Sequence, residues 1–177
     1  EMRNSMIEAM RHWVTNFDID GFRCDVAFLV PVDFWEQARR ELESIKPMYM
    51  LAEMEWNADI NPSPASYFEN AFNASYAWNF MGASTDFAKG KKTLAEMKQE
   101  ISDNYAKFPA HMQKMYFLTN HDENSWNGTI KGRLGKAEEA MTALSYVMPG
   151  MPLIYSGNEY GLNHSLKFFE KDSIPKT

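Results

Sequence analysis

The sequence predicts an α/β fold in which short parallel strands alternate with helices, in the manner of a (β/α)8 barrel. Three observations carry that expectation. Amphipathic helical stretches and short apolar strand segments alternate along the whole chain, as in βαβ units. Three of the strand segments deliver an acid at the C-terminal end: Asp20-Gly-Phe-Arg-Cys-Asp25, Met50-Leu-Ala-Glu53 and Phe117-Leu-Thr-Asn-His-Asp122. A β/α barrel builds its active site at those strand ends.

Taken in order, residues 2–16 read as a helix with Met6, Ala9, Met10, Trp13 and Val14 on one face. Asp18 or Asp20 precedes a short strand over 21–25. Pro31 is placed to start a helix near 32–45 as its first residue, and Pro47 ends it. Met48–Ala52 is an apolar strand. Asn61-Pro-Ser-Pro64 is loop, and 70–73 reads as a short strand leading into Tyr76–Phe80. A turn at Lys89-Gly-Lys-Lys92 precedes a helix at about 93–107. Met115–Thr119 is the next strand, 136–148 a helix closed by Pro149-Gly150, and Leu153–Tyr155 the last strand. About five strands result, whereas a closed barrel needs eight. An open doubly wound sheet is the alternative, but no Gly-x-Gly-x-x-Gly loop follows any strand, so nucleotide binding has no support.

The 177 residues are enough for one domain with a real core, and 1–177 is read as one partial catalytic domain with no second domain. The formal net charge of −6 argues against nucleic-acid or anionic-membrane partners. No apolar run approaches the roughly 18 residues of a membrane span. The single Cys24 excludes an internal disulfide. Aromatics make up 14% of the chain, which suits a protein that stacks sugar rings, although most of the twelve Phe belong to a core. The chain opens on Glu1 inside a helix and stops at Ile174-Pro-Lys-Thr177 without a terminating element, so it reads as a piece of a longer protein.

Each acidic strand end has a functional and a structural reading. A period of two puts Phe22 and Cys24 on one side of the first strand, and Arg23 and Asp25 on the other. A guanidinium beside a carboxylate favours its charged form, which a nucleophile requires; a structural Arg–Asp pair is the competing reading. Glu53 ends an apolar strand, where desolvation suits a general acid. Glu55 competes two residues on, and ordinary loop charge competes with both. At Asn120-His121-Asp122-Glu123-Asn124 a neutral His121 and Asp122 could each orient a sugar hydroxyl. A metal cluster is the alternative there, though no second His lies at helical spacing and Cys24 has no partner. His12, His111 and His164 stand isolated and read as surface or packing residues.

Three such motifs in chain order are distinctive. Gly21-Phe-Arg-Cys-Asp25, Leu51-Ala-Glu53 and Phe117-Leu-Thr-Asn-His-Asp122 resemble three of the four signature regions of the α-amylase family of glycoside hydrolases. Pro149-Gly-Met-Pro-Leu-Ile-Tyr-Ser-Gly-Asn-Glu159 resembles that family's last barrel strand. The resemblance covers nearly the whole chain and implies strands 4–8 of an incomplete TIM barrel. It implies Asp25 as nucleophile, Glu53 as general acid and then base, and Asp122 as the third carboxylate holding the ring hydroxyls. Arg23 would position Asp25, and His121 would bind the same sugar. The implied substrates are α-1,4-linked glucans such as starch and malto-oligosaccharides, cleaved with retention through a covalent glycosyl-enzyme. That mechanism needs carboxyl groups roughly 5–5.5 Å apart.

The family's Asp-x-x-x-Asn-His region, which supplies a sugar-binding His and in many members a calcium-ligating Asn, is absent. Ca2+ is therefore expected only as an option of the full-length protein, and no metal ligand is assigned. After Asp25 many amylases carry a Lys-His pair, where this chain has Val-Ala-Phe-Leu29. Trp56 and Trp126, just past two of the acids, are candidate stacking platforms, with core packing the equal alternative for each. Alternatives within the fold are a transglycosylase or a sucrose- or trehalose-converting relative, and outside it a non-catalytic glucan-binding module. The resemblance favours an extracytoplasmic protein. The 177-residue chain alone, lacking the earlier strands, is expected to have no useful hydrolase activity.

Overall fold

The structure is a computed structural model and describes residues 1–54 and 64–175. These divide into two compact units, one of residues 1–76 with 107–113 and the other of residues 77–106 with 114–175.

The first unit opens with helix α1 (Met2–Phe17), which buries Ile7 and Val14 two turns apart on one face. Asp18 ends it in the left-handed conformation (φ 53°), its N–H donating to the Val14 carbonyl at 3.1 Å. Lys46 Nζ then holds Asp18 at 2.7 Å and Asp20 at 2.8 Å, which fixes the entry to strand β1 (Gly21–Cys24). Helix α2 (Val32–Glu43) buries Phe34, Trp35, Ala38 and Leu42. Pro31 stands at its N-cap, one position earlier than the expected first helical residue. Strand β2 (Tyr49–Ala52) runs parallel to β1, pairing Gly21 with Tyr49 and Cys24 with Ala52. The approach is so close that a Cβ on Gly21 would lie 1.9 Å from the Tyr49 carbonyl oxygen, and glycine is required there.

Helix α3 (Tyr67–Asn70) and strand β3 (Ala74–Tyr76) follow, β3 pairing in parallel with β2. The expected strand at 70–73 is thus displaced. Asn73 is the cause: its N–H donates to the Met50 carbonyl at 2.8 Å, and its Oδ1 accepts from the Met50 N–H and from Arg39 Nη1, both at 2.9 Å. The ladder therefore begins at Asn73. Edge-on rings of Phe34, Trp35 and Phe72, at 5.0 and 5.2 Å, dominate the core of this unit.

The second unit contains helices α4 (Trp78–Ala88) and α5 (Leu94–Tyr105). Residues 78–80, expected to continue a strand, are helical. Thr93 and Glu96 form a reciprocal capping box that starts α5. Strand β4 (Gln113–Tyr116), whose first residue belongs to the other unit, precedes the short helices α6 (His121–Asn127) and α7 (Ile130–Leu134). Helix α8 (Glu138–Val147) and strand β5 (Gly150–Pro152) complete the described elements, β5 parallel to β4 with Lys114 opposite Gly150. Both strands lie earlier than expected. A Cβ on Gly150 would meet the Lys114 carbonyl oxygen at 2.2 Å, so pairing starts at this glycine; the Leu153 N–H adds one bond, to the Tyr116 carbonyl at 2.8 Å. Phe80, Ala83, Met97, Tyr116, Leu118 and Met141 form the core. Among the described residues no helix is long and apolar enough to cross a membrane.

Candidate active site

Asp25 and Glu53 each stand one residue past the end of a strand, and those strands are neighbours in register. The ladder continues beyond the assigned strands: the Glu53 N–H donates to the Cys24 carbonyl at 2.9 Å, and the Ala27 N–H to the Glu53 carbonyl at 3.0 Å. Adjacent strands are about 4.8 Å apart, so the register sets the two acids side by side at the C-terminal ends.

Arg23 joins them. Its Nη1 donates to Asp25 Oδ1, and its Nη2 forms an ion pair with Glu53 Oε1 at 2.9 Å. Its Nε donates to the Tyr76 hydroxyl at 3.3 Å, with the guanidinium carbon 5.6 Å from the Tyr76 ring centre. Burial works against the Arg23 cation, but the hydrogen bonds to Tyr76 and Asp25 and the charge of Glu53 outweigh it, and its pKa lies above the ordinary value. The predicted alternation holds: Cys24, on the opposite side, is buried, and burial pushes its thiol up to about 12, far from a reactive thiolate.

The two carboxyl groups differ in environment. Asp25 is open, its side chain 77% exposed, whereas that of Glu53 is 13% exposed. The second oxygen of Glu53 accepts from the Val26 N–H at 2.8 Å, so its carboxyl group is gripped from both sides. Val26 reaches it in the left-handed conformation (φ 41°, ψ 45°), which is an outlier for a β-branched residue. Sequence reading missed Val26, because neither its type nor its neighbours signal a positive φ. It also missed Tyr76, which lies at the end of β3, far along the chain from Arg23.

The second unit holds the other predicted residues. Asp122 does not end a strand: β4 stops at Tyr116, and Asp122 sits in the first turn of α6. The reason is Asn120, a buried N-cap whose Oδ1 accepts from the Glu123 N–H at 2.8 Å and starts a helix where a strand end was expected. His121 Nε2 lies 3.4 Å from Asp122 Oδ2. The Tyr155 hydroxyl is raised above its ordinary value by burial and by the charge of Asp122. Trp126, on the same helix, is exposed. Trp56 and the competing Glu55 lie outside the described residues. The structure therefore brings Arg23, Asp25 and Glu53 together in one unit, and His121 and Asp122 together in the other.

Of the isolated histidines, His111 Nε2 lies 2.6 Å from the Phe68 carbonyl, His164 3.0 Å from Asp172, and His12 on the outer face of α1 beside Asn16. Among the described residues no three His, Cys, Asp or Glu side chains are grouped so as to hold a metal ion.

The family model "Alpha amylase, catalytic domain" matches residues 1–175. The chain is 30% identical over 168 residues to a maltogenic α-amylase of Bacillus acidopullulyticus, covering 92% of this chain and 27% of that protein. It is 25% identical to a cyclomaltodextrinase of Thermoanaerobacter pseudethanolicus, covering 92% and 28%. Among solved structures, a maltogenic α-amylase of Thermotoga neapolitana superposes with a TM-score of 0.80 at 34% identity, over 94% of this chain and 37% of that one. The chain thus spans about a quarter of the length of these curated relatives. Its fold is α/β, and the described residues hold five parallel strands, as in part of a (β/α)8 barrel.

Proposed function

The chain belongs to the family of α-amylase catalytic domains, and from that premise we propose that it carries the catalytic carboxylates of a retaining hydrolase of α-1,4-linked glucans. The observation that carries the proposal is the single Arg23 guanidinium bound to both Asp25 and Glu53 at the ends of two neighbouring parallel strands. The strand spacing of about 4.8 Å is of the same order as the roughly 5–5.5 Å between carboxyl groups in retaining enzymes.

Asp25, open and paired to a permanent cation, is the nucleophile. Its carboxylate attacks the anomeric carbon as the glycosidic C–O bond breaks. Glu53, the enclosed carboxyl, gives its proton to the departing oxygen. It then removes a proton from water as the water displaces Asp25 from the sugar. Asp122 and His121 bind hydroxyls of the reacting ring, and Trp56 and Trp126 are stacking platforms for neighbouring sugars. The likeness to maltogenic amylases and a cyclomaltodextrinase supports an α-glucan substrate.

The test uses the full-length natural protein carrying this sequence, with malto-oligosaccharides as substrate and Asp25→Asn, Glu53→Gln and Asp122→Asn as variants. Each substitution is expected to lower kcat by several orders of magnitude while glucan binding persists. A wild type that binds glucan without cleaving it would favour the non-catalytic module instead.

A further inference from the structure

Strand register brings a third group level with the two acids of the first unit. Cys24 lies opposite Ala52, and Ala52 lies opposite Ser75 on β3. Carried one residue on, that register sets Asp25, Glu53 and Tyr76 in one row across three neighbouring strands, each about 4.8 Å from the next. Tyr76 is the last residue of β3 and is buried. Arg23 stands two residues before Asp25 on the same side of β1, and its side chain reaches into the row and meets all three.

The guanidinium is a planar fork, and each of its nitrogens has a different partner. Nη1 donates to Asp25 Oδ1, Nη2 pairs with Glu53 Oε1 at 2.9 Å, and Nε donates to the Tyr76 hydroxyl at 3.3 Å. The Tyr76 ring also lies against the cation, with the guanidinium carbon 5.6 Å from its centre. Burial opposes the Arg23 cation, and of the influences that offset burial the Tyr76 hydrogen bond is the largest.

Two of these partners change during the reaction proposed above. Asp25 becomes an ester of the sugar, and Glu53 gives up a proton and regains one, so the hold of each on Arg23 rises and falls through the cycle. A hydroxyl takes no part in those changes. It can keep Nε, and with it the plane of the fork, in place while the charges beside the two Nη atoms vary. A carboxylate in its position would compete with Asp25 for the one positive charge. A phenyl ring would leave Nε without its acceptor.

We propose that Tyr76 is a positioning residue, which holds Arg23 Nε so that the fork stays aimed at Asp25 and Glu53 throughout turnover. This rests on the glucan-hydrolase reading above and adds to it a residue that no sequence motif marks.

The test is a double-mutant cycle in the full-length natural protein, with kcat and KM on maltoheptaose measured for wild type, Tyr76→Phe, Arg23→Lys and the double variant. Tyr76→Phe keeps the buried ring and its place against the cation, and removes only the acceptor. A lost hydrogen bond to a charged donor predicts a kcat lowered roughly ten-fold or more, with KM within two-fold of wild type. In the Arg23→Lys background, where no guanidinium remains to be held, the same substitution should change kcat less than two-fold. A Tyr76→Phe enzyme with kcat within two-fold of wild type refutes the proposal. So does an equal loss in both backgrounds, because Tyr76 would then act without Arg23. If Asp25→Asn retains full activity, the catalytic reading falls and this proposal with it; an inactive Asp25→Asn beside an unimpaired Tyr76→Phe overturns this proposal alone.

Discussion

Replacing Val26 by glycine should stabilise the protein relative to replacing it by alanine, which reverses the usual order of those two residues. Val26 holds φ 41° and ψ 45° immediately after Asp25. Any residue with a Cβ costs about 1–2 kcal/mol in that conformation, and glycine does not. Both substitutions lose the two γ-methyl groups of a half-buried side chain, about 1 kcal/mol, and that shared loss cancels in the comparison. Glycine concedes about 0.4–1 kcal/mol of unfolded-chain entropy to alanine. The difference leaves Val26→Gly ahead by roughly 0.5–1 kcal/mol, or about 1–4 °C in Tm for a domain of 150–250 residues. Activity should run the other way. The strained backbone aims the Val26 N–H at Glu53 Oε2, and a glycine free to relax releases that grip. Thermal unfolding and kcat on maltoheptaose, measured side by side, provide the check. An alanine variant as stable as the glycine variant, or more so, refutes the strain argument.

Three further outcomes are expected. Arg23→Lys should lower kcat/KM by about two to three orders of magnitude, since an ammonium cannot hold Asp25 and Glu53 in the guanidinium's planar fork; steady-state kinetics decide it. Gly21→Ala should destabilise the protein by about 1–3 kcal/mol, measured by denaturant unfolding, because its Cβ would collide with the Tyr49 carbonyl on the neighbouring strand. Lys114 is buried in β4, its Nζ 3.2 Å from Asn104 Oδ1, and burial pushes its ammonium down to about 7. The unfolded chain holds that proton up to about pH 10.4. Stability should therefore climb between about pH 7 and pH 10.4, by up to about 5 kcal/mol. Denaturant midpoints for Lys114→Met should lack that slope.

The sequence made some of this legible and hid the rest, for reasons that individual residues explain. Strands β1 and β2 were readable because a short apolar run and an alternation of two survive in four residues, and Arg23 and Asp25 fell on the same side as expected. Asp122 was expected at a strand end and lies in a helix instead, since the capping role of Asn120 depends on its side chain turning back to Glu123. Strands β3 and β5 shifted by a few residues because their starts are set by partners across the sheet, Met50 for Asn73 and Lys114 for Gly150, and no local pattern encodes those. Tyr76 and Val26 are likewise long-range or conformational facts. Composition had already indicated an aromatic-rich chain; which rings stand on the surface beside His121 became visible only in three dimensions.

The most direct measurement is a covalent trap. The full-length natural protein is incubated with 5-fluoro-α-D-glucosyl fluoride, digested with trypsin, and the labelled peptide sequenced by mass spectrometry. A nucleophilic Asp25 predicts time-dependent inactivation, with one glucosyl adduct in the peptide Cys24–Arg39, placed on Asp25 and not on Asp33. Label on Glu53, on Asp122 or on Asp33 would contradict the assignment, and an active enzyme that forms no adduct would contradict the covalent mechanism itself.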